Sequence, residues 1–131
     1  MKKDSLGDRI KTYEKTFCNR GVKNMPLIIR VDGKAFHSFT RGMDKPFSNK
    51  FIEAMILAAW ETAVRMQGFK AAYVQSDEAT FAITDYDTHE TDGWFDYKLR
   101  KIISISASMM SVYFNTHYGG NCISNPQVFD S

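Results

Sequence analysis

Two β-prone runs in this chain carry acids where a hydrophobic core has no use for them. Leu27-Ile28-Ile29-Arg30-Val31 is nearly continuous apolar sequence and closes on Asp32-Gly33. Tyr73-Val74-Gln75-Ser76 leads into Asp77-Glu78, after which Ala79 to Thr84 resumes the β pattern. A carboxylate beside a core costs stability unless something cationic meets it. Two of them held about 4 Å apart repel by roughly 4 kcal/mol at an effective dielectric near 20. A divalent metal removes that repulsion and gives both groups a ligand role. The acids therefore point to a fold that brings strand ends together, and to metal-dependent phosphoryl or nucleotidyl transfer.

The remaining pattern supplies such a fold. Leu6, Ile10, Tyr13 and Phe17 recur every three to four residues, which predicts a short amphipathic helix within residues 4–20. Pro26 to Asp32 reads as the first strand, its continuous run suited to the sheet centre. Gly33 to Phe47 is a polar connection that directly follows an acid, as functional loops do. Ser48 can cap a helix running to about Gln67, with Gly68 as its stop. The wide apolar stripe of that helix predicts broad packing on a sheet. Phe51, Trp60 and the Met109-Met110 pair read as core. Lys70 to Ser76 and Ala79 to Thr84 form a hairpin about Asp77-Glu78. Asp85 to Phe95 is a polar loop, and Asp96 is placed to cap a second long helix reaching about Asn115. After a Gly/Asn loop, Val128-Phe129-Asp130 begins a fourth strand.

The order β-α-β-β-α-β is the split, ferredoxin-like arrangement, an α+β fold whose antiparallel sheet has both helices on one face. The other face is free for ligands. Neighbouring strands lie about 4.8 Å apart. If the first strand sits beside the hairpin, Asp32 and Asp77 can share a pair of metal ions.

A chain of 131 residues, 44% hydrophobic, fits one globular domain and excludes a disordered one. The net charge of +2 neither demands nor excludes nucleic acid. Cys18 and Cys122 stand far apart and form no metal-ligand pair, so a reduced, cytoplasmic setting is expected. The polar opening has no signal-peptide pattern, and no apolar run is long enough to span a bilayer. His89 and His117 lack any partner at zinc-ligand spacing. No serine nucleophile elbow appears.

Arg30-Val31-Asp32-Gly33-Lys34-Ala35-Phe36-His37 fits the pattern Arg-x-Asp-Gly-x-x-Phe-His, and Gln75-Ser76-Asp77-Glu78 fits Gln-Ser-Asp-Glu. Lys45-Pro46 in the connecting loop, Lys101-Ile102-Ile103-Ser104 on the second helix and Pro126-Gln127-Val128-Phe129-Asp130 complete the set. At these residues the chain resembles the tRNA-His guanylyltransferase family and its relatives, the 3′–5′ (reverse) polymerases. The opening Asp4 to Glu14 looks more like the bacterial and phage branch. The resemblance covers most of the chain but only the palm part of the family's fold. Residues 1–25 are then an N-terminal helical extension, and 26–131 a palm-type catalytic domain cut at its fourth strand. One departure is Phe47-Ser48, where the tRNA-His-specific members usually have Asn-Asp near the guanine.

The resemblance implies a nucleotidyltransferase that adds nucleotides to tRNA 5′ ends in the 3′–5′ direction, with repair of truncated 5′ ends as the preferred task. It implies two Mg2+ ions, GTP and ATP as substrates, a tRNA 5′ end as partner, and a homo-oligomer, dimer or tetramer. Asp32, Asp77 and Glu78 would be catalytic, with Asp32, Asp77 and the carbonyl of Gly33 as metal ligands. A glycine there also lets a cation come close. Gly33, Lys34, Ala35, Phe36, His37, Lys45, Ser76, Lys98 and Lys101 would bind nucleotide. Lys98 and Lys101 are three apart and so expected on one helix face, and a solvated face is the competing reading. Two other readings stand beside this one: a catalytically incomplete nucleotide- or RNA-binding module, and a palm-type nucleotide cyclase.

Overall fold

The computed structural model describes residues 5–16, 18–34, 36–39, 41, 49–86, 92–119 and 127–131. In chain order the elements are α1 (Leu6–Thr16), β1 (Leu27–Gly33), a single turn α2 (Phe36–Phe39), α3 (Asn49–Ala63), β2 (Phe69–Gln75), β3 (Glu78–Ile83), α4 (Leu99–Tyr118) and β4 (Phe129–Asp130). The strands form one antiparallel sheet in the order β2-β3-β1-β4. Helices α3 and α4 pack on each other and on the same sheet face. This is the arrangement expected from the sequence, with β1 beside the hairpin.

Alternation along the strands decides what faces the helices. Ile29, Val31, Ala79, Phe81, Ile83 and Phe129 point inward and are buried against Met55, Ala58 and Ala59 of α3 and Ile102, Met110 and Phe114 of α4. Phe36, on α2, closes the core at the end of β1. Its ring centroid lies 4.9 Å from that of Phe129 and 5.4 Å from that of Phe114. A Cβ on Gly33 would overlap the Phe36 ring. The glycine is thus required by aromatic packing, a reason the cation argument did not contain.

Several expectations need correction. Helix α3 ends at Ala63, not near Gln67, because Met66 folds back into the core and Gly68, at φ 80°, turns the chain into β2. The helix buries its alanine and methionine face, which permits close approach to α4. Trp60 is 61% exposed, and Ile56, Leu57 and Val64 are exposed with it, so the stripe is wider than the contact. Asp96 caps nothing. It sits at φ 52° in the 3-10 turn Trp94–Tyr97 and pairs with Arg20 at 3.1 Å, while α4 begins after Lys98 with no side-chain cap. The proposed helix cap Ser48 lies outside the described residues.

Asp85, expected in a polar loop, is buried. It accepts hydrogen bonds from the backbone N–H of Asn24 at 3.0 and 3.2 Å and from the Tyr97 hydroxyl. These bonds tie the segment entering β1 to the end of β3 and to the turn before α4. The Tyr97 hydroxyl, first among the causes, holds the Asp85 carboxyl below the ordinary carboxylate value. Burial, and then Asp85 itself, push the Tyr97 hydroxyl up in return.

A carboxyl depressed in the folded state stabilises the fold above its unfolded pKa, and that contribution is lost as pH falls through the folded value. Tyr97→Phe is expected to move the acid-unfolding midpoint upward, and Asp85→Asn to flatten the fall in Tm below about pH 4; thermal melts between neutral and acid pH check both. Phe36→Ala is expected to cost about 3–5 kcal/mol in denaturant unfolding, the range for an aromatic deleted from a packed core.

Candidate active site

Cross-strand partners in a sheet share a face. The register therefore sets out the open face, away from the helices, rung by rung. Asp130, Asp32, Glu78 and Gln75 form one rung, on β4, β1, β3 and β2. Arg30, Thr80 and Tyr73 form the next. Three neighbouring strands thus each contribute a carboxylate to the same line.

The turn between β2 and β3 brings in the fourth acid. Ser76 takes a left-handed conformation, φ 53°, which is uncommon for a residue with a Cβ and costs energy. Asp77 follows, and its carbonyl accepts the N–H of Gly33 at 3.1 Å. On the other side of β1 the N–H of Lys34 donates to the carbonyl of Val128 at 2.8 Å. The end of β1 is pinned to both neighbours at the point where the acids lie.

Charge at this end is only partly balanced. The Arg30 guanidinium pairs with Glu78 and reaches Asp32 at 3.7 Å. The Asp32 carboxyl is nevertheless raised above its ordinary value, first by a side-chain hydrogen bond with Asp130, then by burial and by the charge of Asp130. Arg30 works against that rise and Asp77 adds to it. A carboxyl pair can hydrogen-bond only if one member keeps a proton. The site is short of positive charge.

Sequence reasoning left two of these residues without a role, Arg30 and Asp130. Arg30 stands two residues before Asp32 and so shares its face, a signal the period-2 pattern carried. Asp130 becomes visible only once β4 is seen to pair with β1.

Asp32, Gly33, Lys34, Ser76, Asp77 and Glu78 come together at this end of the sheet. The Phe36 ring is core. The N–H groups of Gly33 and Lys34 are bonded to Asp77 and Val128, so neither is free to donate to a phosphate. Lys98 and Lys101 stand apart from the acids. Lys98 bridges to Arg20, and the next N–H, of Leu99, donates to Asn19 at 2.9 Å. The middle of α4 is fixed at the acid level by Phe129 N–H donating to Ser111 Oγ at 2.9 Å and by Ser106 bonding Ser131 at 3.0 Å. On a helix rising about 1.5 Å per residue, Lys101 lies roughly 7–8 Å past Ser106, toward the far end. Ala35 and Lys45 lie outside the described residues, as does the side chain of His37.

Among the described residues no three His, Cys, Asp or Glu side chains form a ready-made metal cage. The donors that are present, carboxylate oxygens and a nearby backbone carbonyl, suit Mg2+ in kind. That ion is usually held by one or two carboxylates together with substrate phosphates rather than by an all-protein cage.

The profile of Thg1, described as tRNAHis guanylyltransferase, matches residues 7–131. The chain belongs to the tRNAHis guanylyltransferase family. A solved bacterial tRNA(His) guanylyltransferase (Thg1)-like protein in complex with GTP superposes with a TM-score of 0.89 at 40% identity, over 97% of this chain and 61% of that one. A second such structure, in complex with ATP, gives 0.89 at 39% identity over 96% and 56%. An uncharacterized protein of Acanthamoeba polyphaga mimivirus is 31% identical over 88% of this chain and 41% of its own length. The chain therefore spans about two fifths of that relative and about three fifths of the bacterial Thg1-like one.

A carboxyl raised in the folded state favours folding at low pH, and that contribution is lost as pH rises through the folded value. Asp130→Asn removes the main cause of the rise at Asp32. It is expected to bring the Asp32 carboxyl back down and to raise Tm at neutral pH; carboxyl-carbon NMR titration and thermal melts check the two effects.

Proposed function

We propose that this chain is the palm of a nucleotidyltransferase that extends tRNA 5′ ends in the 3′–5′ direction, using GTP and ATP and two Mg2+ ions. The observation that carries the reading is the meeting of Asp32, Asp77 and Glu78 at one end of an open sheet face, with Gly33 bonded to Asp77. Family membership supports it, as do the GTP and ATP complexes of bacterial relatives about 40% identical to this chain. Residues 1–25 are an extension to this palm and 26–131 the palm itself. Self-association as a dimer or tetramer belongs to the same reading, and light scattering of the chain checks it.

Bound magnesium would screen the carboxylates and draw charge from the triphosphate. Asp32 and Asp77 would hold it, with the Gly33 carbonyl as a third oxygen. Glu78, held by Arg30, orients the carboxylate rung. Ser76 can donate its hydroxyl to a phosphate oxygen beside Asp77. Lys34, exposed at the end of β1, supplies charge to the phosphates, and Ala35, His37 and Lys45 complete the nucleotide site. Lys101, set back along α4, and Lys98 just before that helix serve the RNA backbone or a triphosphate reaching toward them.

Asp77→Asn is expected to abolish magnesium-dependent GTP binding while leaving the fold intact. Glu78→Gln is expected to weaken it about 10- to 100-fold, the usual scale for a residue that orients a ligand. Calorimetry with and without Mg2+ measures both. Labelled GTP and a 5′-truncated tRNA test the reaction: elongated RNA is the expected product. Cyclic nucleotide would make the chain a palm-type cyclase, and binding without turnover a nucleotide-binding module.

A further inference from the structure

Beyond the acid rung, the open face changes character along the strands. The second rung holds Arg30, Thr80 and Tyr73, and the third holds Ile28, Ala82 and Ala71. Tyr73 is 64% and Ile28 60% exposed, and no described helix covers them. The alanines keep this part of the sheet low, so the tyrosine ring stands above its neighbours. Arg30, already committed to the acids, is the only charged side chain on these two rungs.

An exposed aromatic ring on a four-stranded βαββαβ sheet is the platform on which RNA-binding domains stack bases. The position fits a strand better than a single nucleotide. At about 3.3 Å per residue, the third rung lies roughly 13 Å from the acids. Tyr73 sits about two strand spacings across from Asp32 and one rung along, roughly 12 Å away, which is three to four base steps of 3.4 Å. A polynucleotide whose end lies at Asp32 and Asp77 can run over this face from the end rung. The stretch beside Tyr73 is flat, apolar and free of unpaired acids that would repel phosphate.

We propose that Tyr73 is a stacking platform for a base of the RNA substrate a few nucleotides in from the reacting end, with Ile28 and the two alanines as its apolar floor. The assignment rests on the nucleotidyltransferase reading and adds a substrate-positioning residue to it. Stacking is indifferent to base identity, so Tyr73 positions the RNA strand without reading its sequence.

The test uses a 5′-monophosphorylated RNA hairpin with 5-iodouridine three or four nucleotides from its end. Photo-crosslinking to Tyr73, mapped by mass spectrometry, is expected. Tyr73→Ala should weaken hairpin binding about tenfold or more in fluorescence anisotropy, the scale of one lost base stack. Tyr73→Trp should restore it, and GTP affinity should be the same in all three proteins. A side chain this exposed can be removed with little change in Tm, which separates the effect from unfolding. Equal hairpin binding by wild type and Tyr73→Ala overturns the assignment, as does a Tyr73 adduct formed with an azido-GTP and not with the RNA. Tyr73-dependent RNA binding in a chain that never elongates RNA would keep this platform and remove the catalytic reading. A wild-type chain that binds no RNA removes both.

Discussion

The hydrogen bond from the Gly33 N–H to the Asp77 carbonyl, 3.1 Å long, is the constraint on which the rest of the molecule turns. It joins the end of one strand to a hairpin tip more than forty residues further along the chain. Together with the pairing of β1 and β3, which sets Asp32 opposite Glu78, it holds Asp32 and Asp77 at one end of the sheet. The clasp demands a glycine for a second reason, since the Phe36 ring occupies the space a Cβ would need. Core packing on one side of β1 and site geometry on the other therefore meet at a single residue.

The electrostatics follow from that closeness. Carboxylates that repel are held by a backbone they cannot move. The protein answers with a guanidinium from the same strand, while Asp130 at the neighbouring position pushes the Asp32 carboxyl above its ordinary value. The balance is not full. A site strained in this way gives up stability to keep a constellation ready, the trade expected where function and folding compete. The left-handed Ser76 at the hairpin tip belongs to the same account, because it turns the chain so that Asp77 follows directly.

Much of this was legible in the sequence because period-2 alternation is a local signal. Ile29 and Val31 had to point one way, and Arg30 and Asp32 the other. The order of elements gave the antiparallel sheet, and the acid motifs gave its working end. What stayed hidden depended on partners distant in the chain. Asp85 looked like a loop acid until Asn24 and Tyr97 were found beside it. Asp96 looked like a helix cap, but the turn before α4 bends three successive residues through positive φ and sends its side chain to Arg20. Trp60 looked like core because a helical stripe shows which side is apolar and not how much of it a neighbour will cover. Lys98 was read on one helix face with Lys101, but it stands in extended backbone just before α4, and only the bonds of Ser106 and Ser111 to Ser131 and Phe129 reveal how far along the helix Lys101 stands from the acids.

The rung of acids also makes the enzyme-like end of the sheet sensitive to errors made elsewhere. Side chains swap faces with every single-residue step, so a slip of β1 against β3 would turn Asp32 toward Phe114 and send Val31 into water. The aromatic cluster around Phe36 is thus an alignment gauge. It accepts one offset between strands, and that offset is the one at which the carboxylates stand abreast.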